Sequence, residues 1–75
     1  MEICIKLFSN FAIYHYPSKF RLEVGEASSV EDICQSLRIP KNLPRVNLVN
    51  GEVVSDKHIL QHGDTLSFFS PVAGG

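Results

Sequence analysis

Alternating apolar and polar residues predict the strands near the two ends of the chain. The alternation covers residues 2–8, 20–24 and 65–70, and a period of two is typical of a strand that buries one face. The first and last of these strands are the most apolar. We therefore expect them to lie side by side, as a parallel pair, at the centre of a sheet.

A single helix is predicted to begin at Val30 and to run for about ten residues. Its buried face would consist of apolar residues at helical spacing, namely Val30, Ile33, Cys34 and Leu37. Ser28 or Ser29 can cap the first turn, because Glu31 and Asp32 stand three residues further on, as in a capping box. Pro40 is expected to end the helix.

Two short strands complete the predicted sheet. A strand at 45–49 is followed by Asn-Gly at 50–51, the strongest hairpin signal in the chain, and by a return strand at 53–54. Residues 56–60 are expected to form one helical turn. This order of elements predicts an α+β fold, a β-grasp with a mixed sheet of about five strands and the helix on one face, as one domain over 1–75.

Length and charge exclude several classes of protein. With 75 residues the chain has room for one small core, so an enzyme with its own deep cleft is not expected. A net charge of -1 does not favour nucleic-acid binding. No apolar run is long enough to cross a membrane, and residues 1–6 lack the features of a signal peptide. We expect a cytoplasmic protein in which Cys4 and Cys34 are reduced and half-buried.

The last six residues carry the clearest functional signal. Residues 70–75 read Ser-Pro-Val-Ala-Gly-Gly, and we expect a flexible C-terminal tail that reaches about 20 Å when extended. Gly74 and Gly75 have no Cβ, so the tail could enter a narrow channel and present its carboxylate to an active site there. Pro71 stiffens the base of the tail. The alternative is an idle, frayed end on a plain binding module.

Four segments carry a resemblance to a known family. Residues 5–8 read Ile-Lys-Leu-Phe, 30–33 read Val-Glu-Asp-Ile, 49–51 read Val-Asn-Gly, and 60–75 run from a Gly-Asp turn through the last strand to Pro-Val-Ala-Gly-Gly. In these segments the chain resembles the ThiS/MoaD sulfur-carrier proteins, prokaryotic relatives of ubiquitin. The long aromatic connection after the first strand and the Pro-Val before the last three residues favour the MoaD branch. The connection lacks the Arg often found there in that branch, and Ser70 replaces the first residue of its common Pro-Pro.

The resemblance implies a cycle in which another protein uses ATP. An E1-like adenylyltransferase would adenylate the carboxylate of Gly75, and Gly74 would give access to it. A sulfurtransferase persulfide would then form a thiocarboxylate, so that sulfur is carried covalently and the chain binds no cofactor or metal of its own. In the MoaD branch the chain is the small subunit of molybdopterin synthase, and its large subunit uses the sulfur to build the molybdenum or tungsten cofactor. In the ThiS branch the sulfur goes to the thiazole of thiamin, and a ubiquitin-like protein modifier is a further alternative.

Outward-facing apolar residues indicate a docking surface. By the alternation, Phe8, Val53 and Phe69 point away from the core and would form an exposed apolar patch. The family's partners bind a sheet face of this kind beside the tail. The partner-binding residues that follow are Phe8, Val53, Phe69, Pro71, Val72 and Ala73. If the strands are phased the other way, the first three belong to the core instead.

Two clusters of charged or metal-ligating residues are interpreted as structural. Arg38, Lys41 and Arg45 lie in a stretch without acidic residues, and we expect a solvated loop there rather than a docking site for an acidic partner. His58 and His62 are four residues apart, but a glycine follows at once and no third ligand is near. No metal site is predicted from them.

Overall fold

The described residues fold into a mixed five-stranded sheet with one helix packed on one face. The computed structural model describes residues 1–8, 18–40 and 44–69. The elements in chain order are β1 (Glu2–Leu7), β2 (Lys19–Glu23), α1 (Val30–Ser36), β3 (Val46–Val49), β4 (Glu52–Val54) and β5 (Thr65–Phe69). Across the sheet the strands follow the order β2-β1-β5-β3-β4. All five predicted strands are present, and the ends of each lie within one residue of the prediction.

The two most apolar strands form the centre of the sheet, as their sequence predicts. β1 and β5 pair in parallel, and Ile5 lies beside Leu66 and Leu7 beside Phe68. The remaining neighbours pair antiparallel. The side chains of Ile5, Leu66 and Phe68 are fully buried against α1 and the loops around it. This topology confirms the β-grasp.

The helix begins with the predicted capping box and ends earlier than predicted. The hydroxyl of Ser29 accepts a hydrogen bond from the backbone N–H of Asp32, and the Asp32 carboxylate accepts one from the N–H of Ser29. The helix ends at Ser36, after seven residues rather than about ten. Arg38 adopts a left-handed φ of 58°, and this conformation ends the helix before Pro40. Its buried face is the predicted one: Val30, Ile33, Cys34 and Leu37.

The segment between β4 and β5 is an irregular connection rather than the predicted helical turn. Ile59 forms an isolated antiparallel bridge with Ser29, and the N–H of Val30 donates to the carbonyl of His58 at 3.0 Å. The N–H of His58 closes one tight turn by donating to the carbonyl of Ser55 at 3.1 Å, and the other backbone hydrogen bonds of residues 56–60 join this segment to the start of α1. Leu60 is buried in the core by this arrangement.

Two tight turns have the backbone geometry that their sequences predict. Asn50 and Gly51 both have positive φ, at 53° and 88°, as a two-residue type I′ hairpin requires. Gly63 has a φ of 87°, and the carboxylate of Asp64 accepts a hydrogen bond from the backbone of Gln61 at 2.9 Å. Within the described residues, no helix has the length and apolarity needed to cross a membrane.

Candidate functional site

The sheet face opposite α1, here called the outer face, carries a continuous row of side chains across all five strands. Residues paired in register point to the same side of a sheet. Successive pairings therefore join the members of this row, which are, from β2 to β4, Lys19, Lys6, Ser67, Leu48 and Val53. The row changes from charged at β2 to apolar at β4.

A second row lies beside the first and is apolar. Phe69 pairs with Val46 in the antiparallel register of β5 and β3. Phe8 directly follows β1, and its N–H donates to the carbonyl of Phe68 at 3.0 Å. The side chain of Phe8 is 49% exposed, and that of Val53 in the first row is 73% exposed, whereas Phe69 is half-buried. We call the apolar part of the outer face the apolar patch: Phe8, Val46, Leu48, Val53 and Phe69.

The three described residues predicted to bind a partner thus lie on one face of the sheet. Phe8, Val53 and Phe69 are outside the buried cluster, so the strands have the predicted phase, and the alternative that they are core residues is wrong. Val46 and Leu48 were missed, because alternation in an apolar strand does not show which face is buried. Their partner-binding role stays a prediction.

Gly74 and Gly75, which are predicted to carry the chemistry, lie outside the described part of the chain. The other three predicted partner-binding residues also lie outside it, and they are Pro71, Val72 and Ala73. The last described residue before them is Phe69, a member of the apolar patch. Because residue 70 is bonded to Phe69, a surface that docks on the patch lies next to the point where residues 70–75 begin.

On the inner side of the sheet, a charged network was missed by the sequence analysis. The guanidinium of Arg45 donates to Asp56 at 2.7 Å and to the side chain of Asn47 at 3.1 Å, and it lies over the ring of Phe68. The Arg45 side chain is only 6% exposed. The expectation that Arg45 is solvated is wrong, because Asp56 neutralises it across 11 residues of sequence. Arg38 is exposed, as expected, and Lys41 lies outside the described residues.

The two cysteines lie on opposite faces of the sheet and are not disulfide-bonded. Cys4 is half-buried on the outer face opposite Arg21. Cys34, on α1, is buried rather than half-buried, because its position on the helix faces the core. Burial raises the pKa of the Cys34 thiol from 9.0 to about 11, and the positive charge of Arg45 opposes part of that rise. The thiol of Cys34 is therefore protonated at neutral pH.

The two histidines of the 56–64 region have structural contacts. The Nδ1 of His62 accepts a hydrogen bond from the backbone N–H of Glu2 at 3.1 Å. The backbone carbonyl of His58 accepts the hydrogen bond from the N–H of Val30 at the start of α1. In the part of the chain that the structure describes, no three His, Cys, Asp or Glu side chains are grouped so that they could hold a metal ion.

Comparison with known proteins gives both a family and a fold. The model of the ThiS family matches residues 6–75. No curated protein sequence matches the chain. Among solved structures, the small archaeal modifier protein 1 of Haloferax volcanii is 24% identical, with a TM-score of 0.79 over 95% of this chain and 98% of that chain.

Two further structures share the fold. A protein assigned as molybdopterin converting factor subunit 1 from Pyrococcus furiosus is 21% identical, with a TM-score of 0.79 over 95% of this chain and 98% of that chain. A complex of subunits 1 and 2 of the molybdopterin-converting factor from Helicobacter pylori contains a chain that is 17% identical, with a TM-score of 0.68 over 100% of both chains. At these identities the structures establish the ubiquitin-like β-grasp and nothing finer.

Proposed function

Because the chain belongs to the ThiS family, a family of ubiquitin-fold sulfur carriers and modifiers, we propose that it carries sulfur as a thiocarboxylate on Gly75. The observation that carries the proposal is the family match itself, which runs through the last strand and on to Gly75. The chain would act as the small, sulfur-donating subunit of molybdopterin synthase. The catalytic pocket would belong to the large subunit.

The chemistry requires the carboxylate of Gly75 to become an acyl donor. A carboxylate is a poor one, so an E1-like adenylyltransferase joins it to AMP from ATP and releases pyrophosphate. A persulfide sulfur of a sulfurtransferase then attacks the acyl carbon and displaces AMP. Cleavage of the remaining S–S bond by a thiol leaves the thiocarboxylate on Gly75, and Gly74 keeps the approach to it free of side chains.

The outer face supports this proposal by its position. The apolar patch combines two exposed side chains, Phe8 and Val53, with three half-buried ones, and aromatic and aliphatic groups of this kind occur in the buried centres of protein interfaces. Phe69 belongs to the patch and directly precedes residues 70–75. A protein that covers the patch would thus receive the C-terminal residues at a fixed position. In the Helicobacter pylori complex, a chain of the same fold is assembled with a second subunit.

The test is to look for sulfur on the C-terminal peptide. The chain is incubated with the activating enzyme of the same organism, ATP and a persulfide donor, and is then digested with trypsin. Cleavage after Lys57 releases residues 58–75, a peptide with no Met or Cys. Replacement of one oxygen by sulfur raises its mass by about 16 Da. Because oxidation of Met1 or of a cysteine adds a similar mass, only a shift in this peptide counts.

Two outcomes separate the proposal from its alternatives. The sulfur-loaded chain should form a complex with the large subunit of molybdopterin synthase, whereas complex formation with a thiazole synthase instead would assign it to thiamin synthesis. A protein modifier would give a different product, in which Gly75 is joined through an isopeptide bond to a lysine of a target. Protein-sized adducts without a thiocarboxylate would therefore overturn sulfur transfer in favour of conjugation.

A further inference from the structure

The β1–β2 pairing brings like charges together on the outer face. Three cross-strand pairs lie there in succession: Glu2 with Glu23, Cys4 with Arg21, and Lys6 with Lys19. All three are of the close, non-hydrogen-bonded type, because the hydrogen bonds fall on the alternate positions. Met1 and Val24 exchange two of these hydrogen bonds, and Leu7 donates a third to Ser18. Like charges directly opposite in such pairs destabilise a sheet.

The glutamate pair has cationic neighbours, whereas the lysine pair has no acidic one. Glu23 lies 3.8 Å from the terminal ammonium of Met1, and Glu2 lies 4.0 Å from the guanidinium of Arg21. No acidic side chain forms an ion pair with Lys6 or Lys19. This statement holds for every Asp and Glu of the protein, since all eight lie within the residues that the structure describes.

The uncompensated pair lies in the row that leads into the apolar patch. Lys6 is in register with Ser67, and the row continues through Leu48 to Val53 without another charge. Lys19 also lines a surface groove of about 370 Å³ together with Arg21 and Glu2. A surface that covers the apolar patch would therefore extend over the two ammonium groups, where burial without a counter-charge is costly.

We propose that Lys6 and Lys19 form the charged end of the docking surface, and that the docking partner presents a carboxylate side chain to them. This inference rests on the proposed function, in which a protein covers the apolar patch. An acidic protein surface fits better than a free anion, because the row that begins with the lysines ends at the exposed apolar side chain of Val53, which a small anion would not cover. The repulsion between the lysines is relieved when the partner binds, so the pair favours the bound state.

Charge reversal at Lys19 tests the proposal, because it should change stability and binding in opposite directions. In Lys19→Glu, the new carboxylate faces Lys6, so the unfolding temperature should rise. Binding of the purified large synthase subunit or activating enzyme, measured by calorimetry in low salt, should weaken about tenfold. Lys6→Glu should do the same. The double variant should return to the unfolding temperature of the wild type and bind most weakly.

A matched control separates this site from general electrostatics. Lys57→Glu makes the same change in charge at an exposed position outside the sheet, and it should leave binding within about twofold. High salt should remove most of the difference between wild type and Lys19→Glu. Equal weakening by Lys57→Glu, or unchanged binding by the two sheet variants, would overturn the proposal.

Two further outcomes would also overturn the proposal. If removal of residues 70–75 lowers the unfolding temperature of the wild type but not of Lys6→Glu, the occupant of the pair is the chain's own C-terminal carboxylate. If the wild-type chain binds neither protein, the lysines face no acidic partner of this kind. Sulfur loading of the 58–75 peptide is measured separately, so failure of the proposed function is distinguishable from failure at the lysine pair.

Discussion

Arg45 and Asp56 form an ion pair of 2.7 Å in which the arginine is buried and the aspartate is about half-exposed. Asp56 Oδ1 also accepts a hydrogen bond from the side chain of Asn47 at 2.8 Å, and the backbone carbonyl of Asp56 accepts one from Glu31 on α1. The pair therefore connects the beginning of β3, the β4–β5 connection and the helix. It holds in place the inner side of the sheet whose outer face is the proposed docking surface.

Removal of the Asp56 carboxylate should destabilise the fold. Asp56→Ala leaves the Arg45 guanidinium buried without a counter-charge, and we expect a loss of about 2–3 kcal/mol, reduced from the value for a fully buried pair by the exposure of Asp56. The change in the free energy of unfolding is measured by urea titration, with circular dichroism as the signal. Asp56→Asn keeps an acceptor oxygen and should cost less. Equal stability of wild type and Asp56→Ala would show that water replaces the carboxylate.

Stability should fall at alkaline pH because of Cys34. Its folded pKa is raised to about 11 from 9.0, so the unfolded thiol ionises first while the folded thiol keeps its proton. The folded state is therefore favoured by the neutral Cys34 thiol, and this stabilisation is complete below pH 9. As the pH rises toward 11, the free energy of unfolding should fall by up to about 2–3 kcal/mol. The measurement is the free energy of unfolding from pH 8 to pH 11.

Cys34→Ala isolates the Cys34 contribution from other groups that titrate in this range. The variant should be less stable at pH 8, because it leaves a small cavity, but its stability should decline less steeply above pH 9. Alkylation gives an independent check, since half-buried Cys4 should react at pH 8 while Cys34 should not. If the free energy of unfolding falls equally steeply with pH in the wild type and in Cys34→Ala, the raised pKa of Cys34 is contradicted.

The short helix should depend strongly on its cap. α1 has only seven residues, and isolated helices of this length are not stable in water. Ser29→Ala removes the acceptor for the N–H of Asp32 and should cost about 1 kcal/mol. Ser36→Ala changes the same residue type at the exposed other end of the helix and should be nearly neutral. Chemical unfolding of the two variants, side by side, compares these positions.

The apolar patch should be needed for docking and not for folding. Val53→Asp introduces a charge at a 73% exposed position on the edge of the patch, so it should weaken binding of the large synthase subunit about tenfold, by roughly 1.4 kcal/mol. The unfolding midpoint should stay close to that of the wild type. Ile59→Asp is the matched control, because Ile59 is 53% exposed but lies outside the five strands. Equal binding by both variants would place the interface elsewhere.

The sequence predicts the elements of this fold well because periodicity and turn chemistry are local signals. The capping box at Ser29 and the Asn50 turn each depend on residues within three positions. The pairing of Arg45 with Asp56 and the opposition of Lys6 and Lys19 depend on how distant segments align. An 11-residue connection separates the end of β1 from the start of β2, and no pattern in it fixes their register. For this reason the lysine pair and the charged network emerge only from the structure.

The central claim is that the carboxylate of Gly75 is the group that is activated, and ATP–pyrophosphate exchange tests it most directly. The activating enzyme of the same organism is incubated with ATP, labelled pyrophosphate and either the wild-type chain or a chain that lacks Gly74 and Gly75. The account predicts exchange with the wild type and none with the shortened chain, although both have the same unfolding temperature. Undiminished exchange with the shortened chain would contradict it.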